Sequence, residues 1–77
     1  MLESLNAKIL EYMSREDNTA PQVIRIVYIA KLIRPHIMDE VKEYTKEQLY
    51  DYLKKNFTIL ESFNVANRQF LVEVLKG

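Results

Sequence analysis

The stretch APQVIRIVYIAKLIRPHI, residues 20–37, is the least polar part of the chain, and its conformation decides the fold class. Its β-branched run VIRIVYI has the composition of a strand. Two features favour a helix instead: Thr19 stands at a capping position, and Pro21 falls in the first turn, where a missing amide hydrogen costs little. A helix is therefore predicted that ends near Arg34, because Pro35 disfavours helical geometry in the residue before it.

The use of glycine and threonine in the rest of the chain also favours helices. Gly77 is the only glycine, so the tight turns that a β-rich domain of this size needs are missing. Capping-box spacing, a threonine followed three residues later by Gln or Glu, occurs at Thr19, Thr45 and Thr58. Residues 1–77 are predicted to form a single all-α domain, a compact bundle of about five helices, three of them short, with a long C-terminal helix.

Residues 57–76 are open to two interpretations. FTILESF and QFLVEVL could form a hairpin around NVANR, which would give a winged-helix-like α+β fold. A long helix from Thr58 is favoured, since its apolar residues fall on one half of a helical cylinder and the proposed turn has no glycine. The residues predicted to be buried are Leu5, Ile9, Ile26, Ile33, Leu53, Ile59, Phe63, Phe70 and Leu71.

Composition and charge argue against several classes of protein. The chain has no cysteine for disulfides or for a thiolate zinc site, and no apolar run approaches the ~20 residues that span a bilayer. The first ten residues, MLESLNAKIL, carry an acid where a signal peptide carries basic residues, so a cytoplasmic location is expected. The formal net charge of zero removes the electrostatic term that supplies most non-specific nucleic-acid affinity.

Candidate catalytic and metal-binding residues are few. The only histidine, His36, lies beside a proline at a predicted helix start. His36 and Glu40, like Asp39 and Glu43, have i, i+4 spacing, but ligating histidines usually occur in groups and acids at a helix start are expected from the helix dipole. No glycine-rich loop is present to bind a phosphate. We therefore expect a protein that is not an enzyme and that uses no metal and no cofactor.

The helix predicted to follow Thr19 and to end near Arg34 is apolar on more than one side, which predicts an interface. Val23 and Ile26 belong to a broad face assigned to the core, while other apolar residues project from the opposite side. A symmetric homodimer is expected to cover that second side, with flanking cations near Asp39 or Glu43 of the other copy. The predicted protein-interface residues are Ile24, Arg25, Tyr28, Lys31, Leu32 and Tyr50.

These patterns predict a non-catalytic protein–protein interaction module, regulatory or inhibitory, that self-associates and binds a protein partner. The alternative is a small helical or winged-helix DNA-binding transcriptional regulator, drawn as helix–turn–helix over residues 36–55. This proposed helix–turn–helix motif lacks the usual glycine in its turn. Its first helix is acidic and would be repelled by the DNA phosphates. For this alternative the nucleic-acid-binding residues would be Arg25, Lys31, Arg34, Lys54, Lys55 and Arg68.

Overall fold

The computed structural model describes residues 2–15 and 21–77. In chain order the elements are α1 (Leu2–Met13), α2 (Gln22–Val41), α3 (Lys46–Asn56), a 3-10 helix (Thr58–Ser62) and α4 (Val65–Lys76). The all-α prediction is confirmed, and the described residues contain no strand. The winged-hairpin alternative is wrong, because its two proposed strands fall in the 3-10 helix and in α4.

Helix α2 is longer than predicted because it continues through Pro35. The proline lacks the N–H that would donate to the carbonyl of Lys31, so α2 is missing one backbone hydrogen bond at this point. Ile33, Ile37 and Val41 lie one turn apart on either side of Pro35, and all three are buried. Their burial stabilises a continuous helix, and the prediction of a break at Arg34–Pro35 is wrong.

Thr45 caps α3 as the sequence predicts. Its Oγ1 accepts from the Gln48 amide at 3.1 Å, and the Thr45 amide donates to Gln48 Oε1 at 2.8 Å, which is a complete capping box. The box predicted at Thr58 is wrong, since Thr58 is the first residue of the 3-10 helix and no side chain caps it. The box predicted at Thr19 lies outside the described residues.

Replacement of Thr45 by alanine is expected to lower the free energy of unfolding by about 1 kcal/mol, because the Gln48 amide loses its acceptor. Thr58→Ala is the matched control and should change it by less than about 0.5 kcal/mol, as is usual for an exposed residue without a capping role. Urea denaturation measures both values. Equal losses in the two variants would contradict the assignment of the caps.

The predicted long C-terminal helix is divided in two. Phe57, Leu60 and Phe63 are all buried, and their spacing of three residues matches the period of a 3-10 helix. The chain then becomes extended at Phe63, and α4 begins after Asn64, whose Oδ1 accepts from the Asn67 amide at 2.8 Å. The helical phase predicted across this segment is therefore wrong.

This change of phase also alters the core. Of the nine residues predicted to be buried, Ile59 and Phe70 are only half-buried, and the other seven are buried. Ile59 lies between the buried positions of the 3-10 helix, and Phe70 lies off the buried side of α4. That side of α4 is formed by Leu71, Val72 and Leu75.

Helix α4 packs against both α2 and α3. Arg34 Nη2 of α2 donates to the Val74 carbonyl at 2.6 Å, and Lys46 of α3 pairs with Glu73 at 2.8 Å. The last turn of α4 therefore lies beside Arg34 of α2 and beside the start of α3.

Candidate interaction surfaces

The first half of α2 exposes large apolar side chains. Val23 is 57% exposed, Ile24 56% and Tyr28 45%. With the exposed cation Lys31, one turn further along, these residues are named the α2 face. Sequence reasoning placed Val23 in the core, but it lies one turn before Ile26, the first buried residue of the helix. Ile24 and Tyr28 lie one turn apart on the same side of α2, and exposed apolar residues that are neighbours mark interaction sites more often than isolated ones.

The remaining residues of the predicted α2 interface are partly used within the monomer. Tyr28 stacks on Tyr12 of α1, with ring centroids 4.2 Å apart and planes 20° apart, so one side of its ring is covered. Leu32 is half-buried and packs against the core, and Arg25 is also half-buried. Leu32 is therefore unsuitable for testing an interface, because its replacement would also disturb the monomer.

A groove of about 570 Å³ runs between α3 and α4 on another side of the bundle. Tyr50 and Val72 are its apolar lining residues, although Val72 is only 3% exposed, and the lining residues Lys46 and Glu73 form an ion pair. Sequence reasoning identified only Tyr50 here, because the carboxylates come from two helices that are distant in the chain. The residues that line this α3–α4 groove are Lys46, Glu47, Tyr50, Asp51, Gln69, Val72 and Glu73.

Arg68 connects the groove to the 3-10 helix. Its Nε donates to the Tyr50 hydroxyl at 3.0 Å, and its Nη1 donates to the carbonyls of Leu60 at 3.2 Å and Phe63 at 3.1 Å. The guanidinium carbon also lies 5.8 Å from the centroid of the Tyr50 ring. Arg68 therefore links α4 to Tyr50 of α3 and to the segment that precedes α4. All three of these hydrogen bonds are made to groups within the same chain.

The six cations proposed to bind DNA are distributed over three helices. Arg34 donates to carbonyls in the last turn of α4, where a positive charge interacts favourably with the helix dipole. Lys54 lies 5.8 Å from the centroid of the Tyr50 ring on the α3 side. The other predicted positions are Arg25 and Lys31 on α2, Lys55 on α3 and Arg68 on α4.

A second cavity, of about 460 Å³, lies where α1, α2 and α3 meet. The Tyr52 hydroxyl donates to Glu40 Oε2 at 3.2 Å. Burial raises the pKa of Tyr52 above its ordinary value, and the nearby Glu40 carboxylate adds to the effect. A tyrosine with a raised pKa keeps its proton, so the Tyr52 hydroxyl remains a donor to Glu40 and this hydrogen bond joins α3 to α2.

Within residues 2–15 and 21–77, no three or more His, Cys, Asp or Glu side chains are grouped so that they could hold a metal ion. His36 is exposed on α2. None of the described helices is both long enough and apolar enough to cross a bilayer.

The chain was compared with known families and proteins. It matches no protein-family model, and neither a curated protein nor a solved structure is significantly similar to it. The α2 face and the α3–α4 groove are therefore the features from which a function can be proposed.

Proposed function

We propose that this chain is a non-catalytic protein-interaction module, of the regulatory or inhibitory kind, that acts in the cytoplasm and self-associates through the α2 face. The observation that carries the proposal is the exposure of Val23, Ile24 and Tyr28 within the first two turns of one helix. Such a module would act by occupying a surface of another macromolecule, and its first partner would be a second copy of itself.

The α2 face leaves apolar side chains in water. Burial of one large apolar side chain is worth roughly 1.5–3 kcal/mol, and α2 carries three of the five large apolar side chains that are exposed among the described residues. Tyrosine and isoleucine at one site provide an apolar centre, and Lys31 provides a polar rim, which is the usual arrangement of an interface. A contact through this surface would remove the largest exposed apolar group from water.

DNA binding has less support. The chain has no net charge, and Arg34 and Arg68 use donors on backbone carbonyls within the monomer. A phosphate-binding protein needs several cations free on one surface, and counterion release would make its affinity fall steeply with salt. Electrophoretic mobility shift on random duplex at low salt tests this alternative, and micromolar, salt-sensitive binding would favour it.

The proposed function is tested by removing the apolar groups while keeping good helix formers. Val23→Gln combined with Ile24→Gln should weaken self-association by about tenfold or more, since burial worth more than 1.4 kcal/mol is lost. Analytical ultracentrifugation over a range of concentrations measures the association, and circular dichroism should show unchanged helicity.

Leu10→Gln is the matched control, because Leu10 is 52% exposed on α1 and is not part of the α2 face. At about 100° per residue, Leu10 points away from Tyr12, the α1 residue that stacks on Tyr28. The control should associate as the wild type does. A wild-type protein that remains monomeric at high micromolar concentration would contradict the proposed function.

A further inference from the structure

We infer that two copies of the chain pair their α2 helices antiparallel about a two-fold axis beside Pro35, with Lys31 of each copy facing Asp39 of the other. The inference rests on the proposed function, because it takes a second copy as the partner and adds how the two copies meet. The order of charges along the exposed side of α2 supports it.

The side of α2 that faces away from the core is one continuous line of exposed residues. At about 100° per residue, five exposed residues fall within a sector of about 80°: Ile24, Tyr28, Lys31, Pro35 and Asp39. The line exists only because α2 continues through Pro35. The break predicted from the sequence would have placed Lys31 and Asp39 on two different helices.

Two opposite charges on this line have no ion-pair partner among the described residues. Lys31 and Asp39 are both exposed, and neither forms a salt bridge there. They are eight residues apart, or about 12 Å along the helix, so they are too distant to pair with each other within one copy. The other cations of α2 differ from Lys31, since Arg25 has an interaction within its own chain and Arg34 donates to α4.

A two-fold axis beside Pro35 satisfies both charges at once. Pro35 is midway between Lys31 and Asp39, four residues from each, so an antiparallel pair places each cation opposite the acid of the other copy. The exposed ring of Pro35 would meet its symmetry mate at the centre, and the two ion pairs would flank this apolar contact. Charge pairs in this position fix the register and orientation of an interface.

The same register brings the α2 face into the contact. Tyr28 is seven residues before Pro35, so it would lie opposite Lys42 of the other copy, and an exposed lysine beside a tyrosine ring gives a cation–π contact. Ile24 would lie beside the turn that joins α2 to α3 in the other copy. An axis beside Tyr28 would instead leave Lys31 with no acid opposite it.

Reversal of the two charges tests the contact. Lys31→Glu alone and Asp39→Lys alone should each dimerise about tenfold or more weakly than wild type, because the two-fold axis turns both ion pairs into repulsions. A chain that carries both substitutions should dimerise as wild type does, since each pair is only reversed. Analytical ultracentrifugation measures the association, and the dimer should be the largest species.

Lys55→Glu and Glu61→Lys are the matched controls. They make the same changes of charge on exposed residues of α3 and of the 3-10 helix, away from α2, so both should dimerise as wild type does. An equimolar mixture of Lys31→Glu and Asp39→Lys should form a heterodimer, because each charge then faces its opposite across the axis. Circular dichroism should show unchanged helicity in every variant.

Other outcomes separate this inference from the proposed function. If both single charge variants dimerise as wild type while Val23→Gln with Ile24→Gln weakens association, the pairing at Pro35 is overturned and the proposed function stands. A doubly substituted chain that stays as weak as the single variants, or species larger than dimers, also overturns the pairing. A wild-type protein that is monomeric at high micromolar concentration contradicts both.

Discussion

Phe57→Ala is expected to lower the free energy of unfolding by about 3–5 kcal/mol, the range found when a buried aromatic side chain is truncated. Phe57 is fully buried and is the largest side chain in that state. It also joins two elements, since its amide donates to the Leu53 carbonyl and its carbonyl accepts from the Leu60 amide, both at 2.9 Å. Truncation would leave a cavity where α3 meets the 3-10 helix. Because small domains are stable by only about 5–15 kcal/mol, the melting temperature should fall sharply.

Phe70→Ala is the matched control for this prediction. It removes the same atoms from a side chain that is only half-buried on α4, so the loss should be smaller than for Phe57→Ala. The helical phase predicted from the sequence would give Phe70 the larger effect. Urea denaturation of the two variants therefore compares the two arrangements of the C-terminal segment directly, and a larger loss for Phe70→Ala would contradict the division at Phe63.

Arg68→Ala is expected to lower the free energy of unfolding by about 3 kcal/mol, since a hydrogen bond from a charged donor contributes roughly 1.5–3 kcal/mol and several are lost at once. The carbonyls of Leu60 and Phe63 would lose a donor, and the Tyr50 hydroxyl would lose its partner from α4. The loss should also loosen the α3–α4 groove, because Arg68 connects its tyrosine to the bend before α4.

Lys54→Ala is the control for Arg68, because both cations lie 5.8 Å from the centroid of the Tyr50 ring. Lys54 is exposed and contributes an exposed cation–π contact, so its removal should cost no more than about 1 kcal/mol. Arg68→Lys separates charge from geometry: a lysine keeps the charge but lacks the planar fork that reaches three acceptors. Full stability in Arg68→Lys would show that the fork is not needed.

The sequence by itself determined the fold class and one helix start. A chain whose only glycine is its last residue has few positions for tight turns, so helices are the available way to satisfy its backbone. Thr45 and Gln48 satisfy each other's backbone amides within four residues, and such a local interaction can be identified without knowing the rest of the fold. The second apolar side of α2 was also visible, because helical periodicity places Ile24 and Tyr28 away from Ile26 and Ile33.

Only the tertiary structure decided the features that depend on distant packing. Whether α2 breaks at Pro35 depends on the burial of Ile37 and Val41 against other helices, and this burial outweighs the local preference of proline. The sequence spaces Phe57, Leu60 and Phe63 three residues apart, as a 3-10 helix requires. The apolar residues around them also fit the 3.6-residue period of an α-helix, so the sequence alone did not distinguish the two kinds of helix. The α3–α4 groove could not be predicted at all, because its carboxylates become neighbours only when α4 packs against α3.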